Sequence, residues 1–283
     1  MGIHLYLPIA GVSISAFALL GIGIIVGLIS GLFGVGGGFL LTPLLIMMGI
    51  PPTIAAASDS NQIVAATTSG TYAHWRLGNV DIKLGLLLLV GGFFGSSIGV
   101  EIIKMLRRVG NADFLIKICY VVILGVVGSY MFMESLNSLK SRPFRKEKAK
   151  PVVTGRFEKF SGILPLKINF EKSGVTMSVF LPVIIGFIIG MLAAIMGLGG
   201  GFIMVPALIY LLRIPMHVVV GTNLFQEIFL CINVTFMQAS LNHTVDFILA
   251  LVLLLGSTIG AQFGARLSHR LKADQLKILL ATI

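Results

Sequence analysis

The chain is a succession of uncharged apolar runs, broken by glycine, proline and short polar clusters. Runs close to the roughly 18–20 residues that span a bilayer predict helices over 5–30, 53–75, 84–103, 114–133, 177–196, 218–240 and 247–266. Two more apolar runs, 39–50 and 202–214, are shorter. A helix of their length rises only about 18 Å, against a hydrocarbon core of roughly 30 Å. Each is predicted to be a half-helix or the returning arm of a re-entrant hairpin. Pro51-Pro52 ends the first and Pro215 the second, because proline lacks the N–H and constrains the residue before it.

The stretch before each short run is the same. Gly31-Leu32-Phe33-Gly34-Val35-Gly36-Gly37-Gly38-Phe39 returns 163 residues later as Ala194-Ile195-Met196-Gly197-Leu198-Gly199-Gly200-Gly201-Phe202, and Pro43 and Pro206 follow at matching places. Beyond the prolines the offset becomes 164, so that Ser58 meets Thr222, Asp59 meets Asn223 and Gln62 meets Gln226. Gly95-Ser96-Ser97-Ile98-Gly99 is echoed by Gly256-Ser257-Thr258-Ile259-Gly260, small residues that let helices approach closely. The expected fold is an all-α polytopic membrane protein of two homologous halves, arranged as inverted repeats, each with a Gly-rich broken or re-entrant helix. The expected division is 1–133, a linker 134–176, and 177–283, with a last helix that is short or cut within its length. A weak alternation over 152–170, with Gly155, Gly162 and Pro165, predicts a short hairpin in the linker.

Composition agrees with a membrane protein: 56% of residues are hydrophobic and 11% charged, where a soluble domain carries about 25% charged. The net charge of +10 does not point to nucleic acid, because ten of the 21 Lys and Arg lie in 134–177 against four acids. A basic loop beside membrane spans follows the positive-inside rule and puts 134–176 in the cytoplasm of a multi-pass protein of the cell membrane. The first apolar run has neither a basic n-region nor an A-x-A site and reads as a span, not a signal. Cys119 and Cys231 sit in separate runs and behave as small hydrophobes. No H-E-x-x-H or G-x-x-x-x-G-K-[ST] occurs, and the G-x-S-x-G spelled by Gly95-Ser96-Ser97-Ile98-Gly99 lies inside an apolar span, not at a strand-to-helix turn, so the expectation is a non-enzyme with no cofactor and no metal. Candidate partners are a small anionic substrate, the lipid bilayer and further copies of the chain.

A glycine triplet weakens a helix by roughly 0.8–1 kcal/mol per residue, and irregular backbone in a bilayer must be buried in protein or line a wet cavity. Successive backbone N–H groups in such a turn make an anion-binding concavity, and the helix that follows adds the positive end of its dipole. Gly36, Gly37, Gly38, Gly199, Gly200 and Gly201 are therefore candidate substrate contacts. The competing reading is a packing notch; two triplets at equivalent places, each opening a sub-length helix, favour the site. The helix returning from each proline turn brings Ser58, Asn61 and Gln62, and in the other half Thr222, Asn223 and Gln226, to the depth of the triplets. Asp59 faces an uncharged counterpart and is a candidate proton carrier. Glu227 and Glu101 are rivals, since an ionisable group inside a span is functional by default.

The 31–39 stretch with Pro43, the 197–202 stretch with Pro206, and the polar runs Ser58-Asp59-Ser60-Asn61 and Gly221-Thr222-Asn223 together resemble the sulfite exporter TauE/SafE family of membrane permeases. The resemblance covers nearly all of the chain outside the 134–177 loop. It implies secondary transport of small anions, chiefly sulfur oxyanions and organosulfonates such as sulfite and sulfoacetate, linked to protons and without a bound cofactor. The departures are Asp59 against Asn223, the long basic linker and the short last helix. A passive anion channel and a non-transporting membrane scaffold are the alternatives.

Overall fold

The computed structural model describes residues 4–33, 35–140 and 166–268. Most of the linker, and the last helix expected after 276, lie outside the described residues. The elements run β1 (His4–Leu7), β2 (Val12–Ser15), α1 (Ala16–Phe33), α2 (Gly38–Met47), α3 (Pro52–Arg76), α4 (Ile82–Arg108), α5 (Ala112–Lys140), β3 (Lys167–Phe170), β4 (Val175–Ser178), α6 (Phe180–Met196), α7 (Gly201–Tyr210), α8 (Met216–Met237) and α9 (Phe247–Ser268), with a π-helical turn, Gln238–Asn242, after α8. Among the described residues five helices, α1, α4, α5, α8 with its π turn, and α9, are long and apolar enough to cross a membrane. α3 has the length but carries the polar cluster. α2 and α7 have 10 residues each and fall short of a span. This is an all-α polytopic membrane protein.

The first helix does not begin at residue 5. Residues 4–15 form a hairpin, closed by Gly11 at φ 68 with its N–H donating to the Leu7 carbonyl at 2.8 Å. Hydropathy reads the hairpin as helix because the hairpin is itself embedded: Leu7, Ala10 and Ile14 join a core with Leu45, Ile50 and Leu249. The same device precedes α6, where Gly174 at φ 66 donates to the Phe170 carbonyl at 2.8 Å. The hairpin expected within 152–170 is thus found at 167–178, and 152–165 lie outside the described residues.

Glycine rows decide which helices meet. Gly23, Gly27 and Gly31 of α1 face Gly256, Ser257, Ala261 and Ala265 of α9. Gly91, Gly95 and Gly99 of α4 face Val183, Phe187 and Met191 of α6. A Cβ on Gly27 would strike the Ser257 backbone, and one on Gly95 the Phe187 carbonyl, so the missing side chains are what let these backbones touch. Each half's first long helix therefore packs on a helix of the other half. Gly91 faces Val183 as Gly256 faces Leu20, which makes the structural offset here 165. The echo of 95–99 in 256–260 is one helical turn out of step, because rows of glycine every fourth residue look alike when slid by one turn.

The hairpins are tied to helix starts. Asp246 Oδ2 accepts from the Ile9 and Ala10 N–H groups at 2.9 and 3.3 Å, and Asp81 Oδ2 accepts from Ser173 N–H and Oγ at 3.2 and 2.6 Å. Both aspartates also cap a helix N-terminus, through the Leu249 and Leu84 N–H groups, each at 3.2 Å. Arg107, near the far end of α4 from Asp81, donates to the Asn242 carbonyl, just ahead of Asp246. The two hairpins consequently sit at opposite ends of α4. Around this frame Phe17, Ile25, Phe94, Val121 and Phe263 are exposed, while Asp59, Gln62, Gln226 and Glu227 are fully buried. Apolar outside and polar within suits a chain solvated by lipid.

Candidate functional site

The two glycine stretches cross at the centre of the fold. Phe39 and Phe202 stack with ring centroids 4.9 Å apart and planes 18° from parallel. On either side of the stack the backbones touch. A Cβ on Gly38 would meet Leu198 Cα at 3.0 Å, and one on Gly201 would meet Val35 at 2.7 Å. Val35 and Leu198 are repeat partners, as are Gly38 and Gly201, so the crossing relates one stretch to the other by a local two-fold. Gly36, Gly37, Gly199 and Gly200 all take positive φ, between 70° and 95°, a region that β-branched residues resist.

Each triplet faces a carboxylate of the chain itself. A Cβ on Gly36 or on Gly199 would collide with Glu227 Oε1, so the Glu227 carboxylate lies between the two turns. It accepts from the Gly201 N–H, at the N-terminus of α7, at 3.3 Å, and from Asn223 Nδ2 at 3.2 Å. The Gly201 N–H and the N-terminus of α7 are thus directed at the Glu227 carboxyl group. Asp59 lies beside the other triplet, with Oδ2 2.9 Å from a Cβ built on Gly38. It accepts from Thr42 Oγ1 at 2.6 Å and from Gln62 Nε2 at 2.9 Å. Neither carboxylate forms an ion pair with Lys or Arg among the described residues. Hydrogen bonds to a charged group are worth about 1.5–3 kcal/mol each, and they offset the several kcal/mol that an isolated charge costs in an apolar interior.

The remaining expected site residues divide. Gly37 and Gly200, which precede α2 and α7, turn toward the preceding helices, against Val26 and Ser30 in one case and Ile189 and Ala193 in the other. Gln226 is fully buried with neither amide atom hydrogen-bonded, and Ser30 Oγ beside Gly37 has no partner either. These are polar atoms that a ligand or water would satisfy. Asn61 is half-buried on α3 and makes no hydrogen bond to the cluster among the described residues. Ser58 and Thr222 are committed elsewhere: Ser58 Oγ accepts the Asp246 N–H at 3.1 Å and Thr222 Oγ1 the Asp81 N–H at 3.0 Å. Each ties its helix to the start of a helix in the other half. Glu101 is not brought to the cluster; its side chain is 55% exposed on α4 and pairs with Lys104 at 3.5 Å.

Three residues of this region escape a sequence reading. Thr42 holds Asp59, but its repeat partner is Val205. Asp81 and Asp246 bind the hairpins, and only a further shift of the repeat offset, to 165, would have matched them.

A family model described as sulfite exporter TauE/SafE matches residues 19–283. Among curated proteins the chain is similar to the probable membrane transporter protein YjnA of Bacillus subtilis, 30% identical over 92% of this chain and 93% of that protein. It is also similar to the probable membrane transporter protein YunE of the same organism, 25% identical over 93% and 92%. Sulfite exporter TauE/SafE family protein 6 of Arabidopsis thaliana is 32% identical over 32% of this chain and 22% of its own length. No solved structure matches the chain.

Proposed function

The chain belongs to the sulfite exporter TauE/SafE family and is a membrane transporter; from that premise we propose that it is a secondary transporter of a small anion of the sulfur oxyanion or organosulfonate class, driven by protons. The observation that carries the reading is the Glu227 carboxylate lodged against both Gly36 and Gly199. Glu227 is a resident anion on the donors that the substrate needs. A proton taken up by Glu227 cancels its charge and releases the Gly201 N–H, and the incoming anion accepts that bond in its place. A proton and a monovalent anion, such as hydrogensulfite or a sulfonate, then move as a neutral sum, and an anion without a proton finds the Gly201 donor occupied. Asp59, across the crossing, is the second candidate carrier, and Gln226 and Ser30 supply polar atoms not used within the fold.

We place the protein in the cell membrane with 134–176 in the cytoplasm, and read 1–133 and 177–283 as inverted repeats. What supports the inversion is the pair of matching hairpins at opposite ends of α4 and the local two-fold through the Phe39–Phe202 stack. The deciding experiment uses purified protein in proteoliposomes with radiolabelled sulfite. The wild type takes up sulfite faster down an imposed proton gradient, whereas Glu227→Gln loses the gradient response and keeps sulfite exchange. Gradient-driven uptake that survives in Glu227→Gln removes Glu227 from coupling, and large unitary currents in place of saturable flux make the protein a channel.

A further inference from the structure

Two grooves lie between helices of opposite halves, and the repeat makes them counterparts. One, of about 960 Å³, lies between α3 and α9; the other, of about 550 Å³, lies between α8 and α4. Repeat partners line them. Thr68 in the first corresponds to Ile232 in the second, Tyr72 to Phe236, and Thr258 to Phe93. The second groove is an aromatic trough suited to lipid tails. The first carries polar side chains, Thr68, Ser69, Thr258 and Gln262, among alanines and ends at Arg76 and Arg266, whose repeat positions hold Ser240 and Glu101.

We propose that the α3–α9 groove is an anion vestibule, with the Arg76 and Arg266 guanidinium groups drawing small anions in from the end of the molecule where α3 and α9 finish. It rests on the reading of the chain as an anion transporter. Arginines in the last turn of a membrane helix are ordinarily anchors that reach for the interface and complement the helix dipole. Three observations go further. Both arginines line one groove, and neither meets a carboxylate among the described residues; Arg76 instead lies over the Tyr72 ring, 5.7 Å from its centroid. Polar lining continues inward from Arg76 through Tyr72 and Ser69 to Thr68, two turns deeper in α3, where the Thr68 hydroxyl donates to the Val64 carbonyl at 2.6 Å. The counterpart groove has neither cation and holds Ile232, Phe236 and Phe93 where the first has Thr68, Tyr72 and Thr258, with Asn233 as its polar lining residue. A cleft lined by one sign of charge between low-dielectric walls concentrates counter-ions by tenfold or more.

The test reads local potential, not transport. In a Cys119→Ser, Cys231→Ala background, Thr68→Cys is reacted with methanethiosulfonates carrying either an ethylsulfonate or an ethyltrimethylammonium group. A vestibule favours the anionic reagent by about tenfold over its ratio with a free thiol in water, and sulfate slows labelling more than chloride at equal ionic strength. R76Q with R266Q abolishes the preference, and R76K with R266K retains it. If the double Gln protein does not fold, each single variant reads part of the effect. Equal rates for the two reagents, a preference that survives both Gln substitutions, or the same preference at Ile232→Cys overturns the proposal. The assay is repeated in phosphatidylcholine with and without phosphatidylglycerol. A preference unaffected by the anionic lipid supports free anions as the occupant, and one that phosphatidylglycerol eliminates assigns the arginines to a lipid headgroup and overturns the vestibule. Protein that keeps the labelling ratio but moves no sulfite overturns the transport reading alone.

Discussion

Phe39 and Phe202 stack face to face at 4.9 Å, each ring belonging to the repeat of the other. Both are almost wholly buried, at 4% and 6% exposure, and they hold the two glycine turns at the spacing that Glu227 bridges. Phe→Ala in a packed interior costs about 3–5 kcal/mol, and an aromatic pair adds about 0.5–1.5 kcal/mol beyond area. Phe39→Ala and Phe202→Ala are each expected to destabilise within the first range, and a double-mutant cycle in denaturant-titrated micelles should return a coupling within the second. Strictly additive losses would mean that the rings pack independently.

Ser58 and Thr222 should behave as fastenings. Each accepts a single backbone N–H from the opposite half, so Ser58→Ala and Thr222→Val are expected to lower stability by about 1–3 kcal/mol, the cost of leaving a buried donor unmet. Sulfite KM measured on the same preparations should stay within about twofold. A large rise in KM with normal melting would return both hydroxyls to the substrate site.

Glycines of one triplet should separate by what they face. Gly36→Ala pushes into Glu227 as well as straining a left-handed residue, so it is expected to raise the sulfite KM about tenfold while stability falls by about 1–2 kcal/mol. Gly37→Val overfills the space beside Val26 and should cost about 1–3 kcal/mol of stability, with anion affinity of the folded fraction nearly unchanged. Thermal melts and anion titrations on the same samples check both. Identical patterns in the two variants would reduce the triplet to a packing notch.

Thr42 and Asp59 should be energetically coupled. Thr42→Val in the wild-type background removes a 2.6 Å hydrogen bond and is expected to destabilise by about 1.5–3 kcal/mol. In an Asp59→Asn background the same change should cost less by at least 1 kcal/mol. Equal costs in both backgrounds would show that the carboxylate does not depend on this donor.

Much of this architecture is written in the apolar runs, the doubled glycine stretch and the proline breaks, because helix length, backbone strain and hydropathy are local properties. The half-helices at 38–47 and 201–210 follow from length alone. The N-terminal hairpin does not, since Leu7 is as apolar as any helix face and the strand pairing is short, and the hairpin of the linker lies later than the alternation over 152–170 suggests. The depth of Asp59 was legible from the return after Pro51-Pro52. The position of Glu227 was not, because its repeat partner is Ile63 and comparison of the halves gives it no second copy. Nor could the row of residues flanking Ser58 reveal that its hydroxyl is used 188 residues away, a distance that only the assembled fold closes. Glu101 is a rival carrier only by lying in a span, and a carboxylate within a span can still point outward beside a lysine, as it does here with Lys104.

The interlocking of the halves has a consequence for biogenesis. α1 ends at Phe33, and the helix that covers its glycine row begins only at Phe247. At 5–20 residues per second of synthesis, the ribosome leaves that row uncovered for roughly 10–40 s. During this interval α1 resides in the bilayer with its backbone open to lipid or to an insertion chaperone, and the α4–α6 pairing closes first. α9 therefore completes the first helix, so a nascent chain released before Phe247 holds an unfinished span that membrane proteases can recognise.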